Sequence, residues 1–436
     1  MKRIYGRPPQ GGTMPRLFSV FPSGLGLLLL ALASPGRAQE PAAAPVAPAV
    51  PAPPANSAAG EEDAQSWKFV ARASASATYD DNIFIQRTNP QDDVIYRVAP
   101  SFGWGIGSFR GEFSPLSSTP HFLAQTGEEE LPRKDFAFVG YTPEAVFFDR
   151  HHGEDDVNHD ARIAARREEP LWNAEGELHF QSVADTNIDL GQRLRQTYYS
   201  ASLGGEYALT GKINGGLRFD GVRSDYDAGF SSTDAHGKIY ADYQIAPKTL
   251  VGFGIVVGYL DVAGGSNQDY QQPVLQLKYQ ATSKLSFTGQ AGEEFRQFAS
   301  GIRDRSQFAF LLNGNFEPAD GTTLTVSGRR DTQSSAQYAG ENIVQTVYQG
   351  GVRQRFWQRV YLSLTGGFAR ENYENNRVVA VVARRDDYSF YKAALSGDIT
   401  RRGTLELSYE YRKNDSSLAN FSFNENLASL GVSFLF

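Results

Sequence analysis

The densest set of side chains able to hold a metal ion is His151-His152 with Glu154, Asp155, Asp156 and His159. Imidazole and carboxylate donors of this kind suit zinc, but a site needs rigid elements to fix its geometry. This run sits in a polar connection and reads as a solvated loop, so no metal is expected there. Asp80-Asp81-Asn82 and Asn414-Asp415 offer oxygens to Ca²⁺, or to cations bridging lipopolysaccharide, without the spacing of a calcium loop. His179 or His236 could pair with a serine as base and nucleophile, but no surrounding motif supports it. Phosphate-binding glycine loops and zinc-protease helix motifs are absent, and the lack of cysteine excludes disulfides and thiolate metal sites. No catalytic residue, metal or cofactor is therefore assigned.

What remains is a set of charged residues recurring between apolar neighbours. They are Arg72, Arg97, Glu177, Glu206, Arg218, Asp220, Lys238, Asp242, Lys278, Glu294, Arg329, Arg353, Lys392, Glu406 and Glu410, joined by His179, Gln290 and Asp398. Charges on one parity and apolar groups on the other mean strands with one wet and one greasy face. Trp67, Phe69, Ala71, Ala73, Ala75, Ala77 and Tyr79 form one such stripe. Val251, Phe253, Ile255, Val257 and Tyr259 form another, and Phe308, Phe310, Leu312, Gly314 and Phe316 a third.

The connections alternate as well. Tight links at Thr210-Gly211-Lys212, Pro247-Lys248, Ser283-Lys284, 318–321, Gln358-Arg359 and 401–403 are separated by longer polar stretches. Those stretches are at about 185–192, 225–232, 261–268, 297–305, 331–341, 370–386 and 412–422. Short turn and long loop in alternation is the pattern of an outer-membrane barrel. The expected fold is all-β: a transmembrane antiparallel up-and-down barrel of about 18 strands over residues 67–436. In hydrocarbon every backbone N–H and C=O must be paired, and only closure removes the sheet edges. Residues 107–133 alternate poorly and are expected to be an extended turn or a segment folded into the lumen.

Soluble sandwiches and propellers alternate too, but other features favour the membrane. Aromatics crowd the strand ends at Tyr79, Tyr207, Tyr259, Phe316, Phe368, Tyr409 and Tyr411, as interfacial girdles require. The last strand, Ala428, Leu430, Val432, Phe434 and Phe436, resembles the recognition strand of proteins inserted by the bacterial barrel-assembly machinery. Basic residues followed by the apolar run 25–33 and Gly36-Arg37-Ala38 read as a signal peptide, cut after Ala38, for export by the Sec pathway. The leader carries five basic and no acidic residues, so cleavage takes the net charge from -7 to -12, a poor basis for binding nucleic acid. Residues 39–66, rich in Ala and Pro, are expected to form a disordered periplasmic linker.

At Asp80-Asp81-Asn82-Ile83-Phe84, followed by Asp92, Asp93, Val94 and Pro100, the chain resembles a family of outer-membrane β-barrel porins, some of which accompany exopolysaccharide biosynthesis genes. Residues Tyr409 to Ser417 and Asn424-Glu425-Asn426 are similar to that family's closing loop and strand. The resemblance implies a barrel and, more distantly, a place near polysaccharide export. The expected function is a porin-like channel in a Gram-negative outer membrane, passing small polar solutes or assisting polysaccharide export. The alternatives are a closed structural or export-accessory barrel and, third, an outer-membrane hydrolase. Expected partners are outer-membrane lipid and lipopolysaccharide, the assembly machinery at Phe436, and polysaccharide export components.

Overall fold

A computed structural model describes residues 67–107, 135–299, 304–374 and 383–436. The leader, the linker and residues 108–133 of the irregular segment lie outside the described residues.

The strands in chain order are β1 (Lys68–Asp80), β2 (Asp93–Gly107), β3 (Phe136–Phe148), β4 (Asp156–Glu168), β5 (Trp172–Asn187) and β6 (Gln192–Thr210). Then come β7 (Ile213–Tyr226), β8 (Ser232–Ala246), β9 (Thr249–Val262), β10 (Gln268–Thr282), β11 (Leu285–Phe298) and β12 (Arg305–Ala319). The remainder are β13 (Thr322–Ser334), β14 (Asn342–Phe356), β15 (Val360–Glu374), β16 (Arg385–Asp398), β17 (Gly403–Ser416) and β18 (Phe423–Leu435). Each pairs antiparallel with its sequence neighbour, and β18 returns to β1, so the 18-stranded sheet has no free edge. The Phe436 N–H donates to Ala71 at 2.8 Å and ties the C-terminus into that last seam.

Parity separates two faces. Val251, Phe253, Ile255, Val257 and Tyr259 of β9 are all exposed on the outside, and Leu275, Leu277 and Tyr279 continue the belt on β10. Burial against lipid, not against a protein core, is the only favourable place for such a continuous apolar surface. Strands run from 13 to 19 residues, beyond the roughly 9–11 that cross a bilayer. The surplus continues the sheet past the lipid, because polar residues go on exchanging ladder hydrogen bonds there. The long connections are consequently shorter than the sequence suggests: β5 and β6 pair as far as Asn187 and Gln192, inside the polar stretch 185–192. The tight turns fall at one end, with only Gly211-Lys212, Pro247-Lys248, Ser283-Lys284 and Asp320-Gly321 outside the strands. Gly321 takes φ 79°, and a Cβ there would lie 2.6 Å from the Arg355 side chain.

Candidate functional site

All fifteen charged positions named from the sequence lie on the parity opposite to the exposed apolar side chains of their strands. Register joins them into rows: Arg218 stands opposite Lys238, Asp220 opposite His236, Asp242 opposite Gly252, and Lys392 opposite Glu410.

Along β4–β8 the interior wall is a ladder of ion pairs. Arg162 meets Glu177 at 2.7 Å and Arg166 meets Glu175 at 2.8 Å. Arg218 contacts Asp220 at 3.0 Å and Glu175 at 3.6 Å. Further round, Lys238 donates to Gln276 at 2.9 Å and Gln290 at 3.0 Å, while Lys278 lies 3.8 Å from Asp242. The Tyr240 hydroxyl donates to Glu206 at 2.6 Å. In the loop-end half, Arg296 bonds Glu294 at 2.5 Å and Gln268 at 3.1 Å, and Arg329 donates to Gln345 at 2.6 Å. Arg412 lies between Glu410 at 2.6 Å and Glu425 at 3.3 Å, all three buried. Charges this deep persist because each is met by an opposite charge or a hydrogen bond.

At the loop end the lumen is constricted by its own connections. Ile83 and Ile85, between β1 and β2, are both buried, and Ile85 packs with Ile188, Val347, Ala369, Tyr388, Phe390 and Phe423. Ile83 joins Ile95, Val146 and Phe148. Ile85 holds φ 47°, a left-handed conformation costly for a β-branched residue by about 1–3 kcal/mol, so the surrounding packing must impose it.

Over this plug the β5–β6 connection meets the β13–β14 connection, eight strands further round a ring of eighteen. Asp189 accepts from the Ala336 N–H at 2.6 Å and the Ser335 hydroxyl at 3.1 Å. Arg384, ahead of β16, donates to the Ile188 carbonyl at 2.9 Å, the Asp189 carbonyl at 2.6 Å, Gln337 at 2.7 Å and Asp386 at 2.6 Å. Its guanidinium lies 3.6 Å from the Phe421 ring centroid and 4.4 Å from that of Tyr373. Burial pushes the Asp189 carboxyl above the ordinary carboxylate range, against the lowering effects of Arg384 and the Ala336 N–H.

Towards the turn end the lining is looser. Glu406 and Lys278 are exposed, and Arg353 is half-buried with its guanidinium 4.5 Å from the Tyr361 ring centroid. Arg72 and Asp398 are likewise only partly covered.

The residues considered first for chemistry are scattered. His151 bonds Asp93 at 2.6 Å and Gln91 at 2.8 Å, His152 lies 3.7 Å from Asp155, and His159 bonds the Tyr141 hydroxyl at 2.9 Å. Among the described residues no three His, Asp or Glu side chains converge as metal ligands. Asp81 bonds Asn426, whereas Asn414 donates to the Phe421 carbonyl, so the two oxygen-rich stretches form no shared cage. His179 faces Asp160 at 2.7 Å and His236 lies between Asp234 and Asp220, so both meet carboxylates rather than seryl hydroxyls.

Sequence reasoning missed Asp189, Arg384, Arg412 and Glu425. Arg412 shares the parity of Glu410, a signal lost because 412–422 read as loop. The signal at the plug was Ile83-Phe84-Ile85, three apolar residues in an otherwise polar connection.

A closed barrel with an apolar outer belt and a charged interior is a transmembrane β-barrel of the outer-membrane type. Residues 304–436, comprising β12–β18, match the model of a family described as Putative beta-barrel porin 2. This range takes in the Tyr409–Asn426 resemblance but not Asp80–Phe84. No curated protein matches the sequence. Among solved structures, Acinetobacter baumannii OccAB4 is 9% identical, with 85% of this chain and 99% of that chain covered and a TM-score of 0.43. Pseudomonas aeruginosa OccK2 (OpdF) is 12% identical, with 85% and 97% covered and a TM-score of 0.42.

Proposed function

We propose that this protein is a porin-like, non-catalytic outer-membrane channel for small polar solutes, with its narrowest point at the loop end. One observation carries the reading: a closed wall, greasy outside, whose inner face is charged throughout and half-exposed towards the turns. Rings of charge of this kind set ion selectivity in channels. Planar-bilayer recording of the refolded protein tests it, with discrete conductance steps expected; a folded barrel that never conducts at any voltage would overturn it.

A second reading has its own support. The contacts of Asp189 and Arg384 span the mouth, which suits a barrel closed at rest and opened by a partner, as an export-accessory role requires. Steps that appear in Arg384→Gln but not in the unaltered chain favour this reading. We further infer a leader at 1–38, Sec export, a linker at 39–66, insertion by the assembly machinery through the strand ending at Phe436, and contact with lipopolysaccharide. Polysaccharide export components are proposed partners on the porin-family resemblance alone. Loss of surface-exposed barrel on Phe436 deletion tests the insertion step.

A further inference from the structure

The two rims of the barrel hold their cations differently. At the loop end Arg150 pairs with Asp92 at 2.6 Å, Arg223 with Asp225 at 2.9 Å, and Arg370 and Arg385 with Asp387 at 2.7 and 3.0 Å. At the turn end, five of the six hairpin turns between β6 and β17 carry an exposed basic residue: Lys212, Lys248, Lys284, Arg359 and Arg402. The sixth turn is Asp320-Gly321. Among the described residues none of these five cations meets a carboxylate, and the Lys248 ammonium donates to the Ala281 carbonyl at 3.0 Å.

Three of the turns repeat one device, in which a threonine hydroxyl accepts the backbone N–H of the basic residue two positions on. Thr210 accepts from Lys212 at 3.2 Å, Thr282 from Lys284 at 3.1 Å and Thr400 from Arg402 at 3.2 Å. A turn closed this tightly keeps its cation beside the end of the strand. In four of the five turns an exposed apolar residue stands three positions ahead of the cation, namely Leu209, Ile245, Phe356 and Ile399; at Lys284 it is the next residue, Leu285.

The four tryptophans of the chain stand at this same end. Trp67 precedes β1, Trp104 lies near the end of β2, Trp172 opens β5 and Trp357 lies in the β14–β15 turn. All are exposed, Trp357 at 84% and with φ 53°. Indole rings collect where hydrocarbon gives way to headgroups, so they mark the depth of the rim and put the neighbouring cations among the headgroups.

We propose that the turn rim is a binding surface for anionic phospholipids of the leaflet it crosses, each basic residue taking the phosphodiester of one lipid. The ammonium groups act as point charges, and the guanidinium forks of Arg359 and Arg402 match two phosphate oxygens at once. Turns recur every second strand, roughly 10 Å apart, which is about the screening length at physiological salt, so each cation addresses its own headgroup. A soluble anionic partner would leave the apolar residues and indoles of the rim in water, whereas acyl chains cover them. The surface rests on the barrel spanning the membrane and not on whether the lumen conducts.

The tryptophans report this rim without a label. The full chain is refolded into phosphatidylcholine vesicles in which a minor fraction of lipid has brominated acyl chains, on either phosphatidylglycerol or phosphatidylcholine heads. Brominated phosphatidylglycerol should quench tryptophan emission about twofold more strongly than brominated phosphatidylcholine, and the preference should vanish at about 1 M salt. It should also vanish when Lys212, Lys248, Lys284, Arg359 and Arg402 are all changed to Gln. It should persist when five loop-end cations, Arg150, Arg223, Arg370, Arg385 and Lys413, are changed instead. Equal quenching by the two lipids in the unaltered protein, or a preference that survives loss of the five turn cations, would overturn the proposal. Relief of quenching by soluble glycerol phosphate would assign the cations to a free phosphate and overturn the lipid reading.

Discussion

The two halves of the lumen carry similar residue types to opposite ends. At the loop end Arg412, Glu410 and Glu425 are buried, Arg384 is sealed beneath aromatic rings, and apolar loop residues pack against the inner wall. At the turn end Lys278 and Glu406 meet solvent and Arg353 rests on a tyrosine face. An arginine is a structural fastening where water is excluded, and where water remains its charge faces the solvent. The contrast follows from desolvation: a buried charge must keep its partner, whereas an exposed one is screened.

Substitutions can break that contrast. Arg412→Met strands Glu410 and Glu425 in the packed half and should cost about 3–5 kcal/mol in urea unfolding of the vesicle-bound barrel. An equal loss from Arg353→Met would erase the distinction between the halves. Ile85→Ala should cost about 2–4 kcal/mol, through the cavity it leaves and partly offset by relief of the backbone strain, and should raise single-channel conductance by loosening the plug. Unchanged conductance alongside lower stability would mean that the plug does not limit flow. Ser335→Ala removes one hydroxyl donor from Asp189 and should cost about 1 kcal/mol, read as more frequent openings rather than larger ones. Arg353→Gln should leave stability within about 1 kcal/mol yet shift the reversal potential in a salt gradient towards cation preference. Reversal unmoved by that change would place the selectivity determinant in the loop half.

Much of the fold was legible because a strand writes its two faces into alternate residues. The interior position of Arg218 or Glu406 needs only parity, which local sequence supplies. Strand ends were less legible: nothing in Asp185 or Asn187 says whether a polar stretch continues the ladder, since that depends on the neighbouring strand also continuing. The plug was the least legible part. Ile188 lies in the β5–β6 connection and Val347 on β14, far apart in the chain, and they join one cluster only once the ring has closed.

By itself the sequence determined the class of fold, an approximate count of strands and which residues share a face, because these follow from periodicity, turn chemistry and the need to satisfy every backbone group in lipid. Only the tertiary structure decided which charges are buried, which loops cross the mouth and which cations of the rim meet a carboxylate. Each of those is a relation between residues brought together by closure and register, and no single stretch of chain contains it.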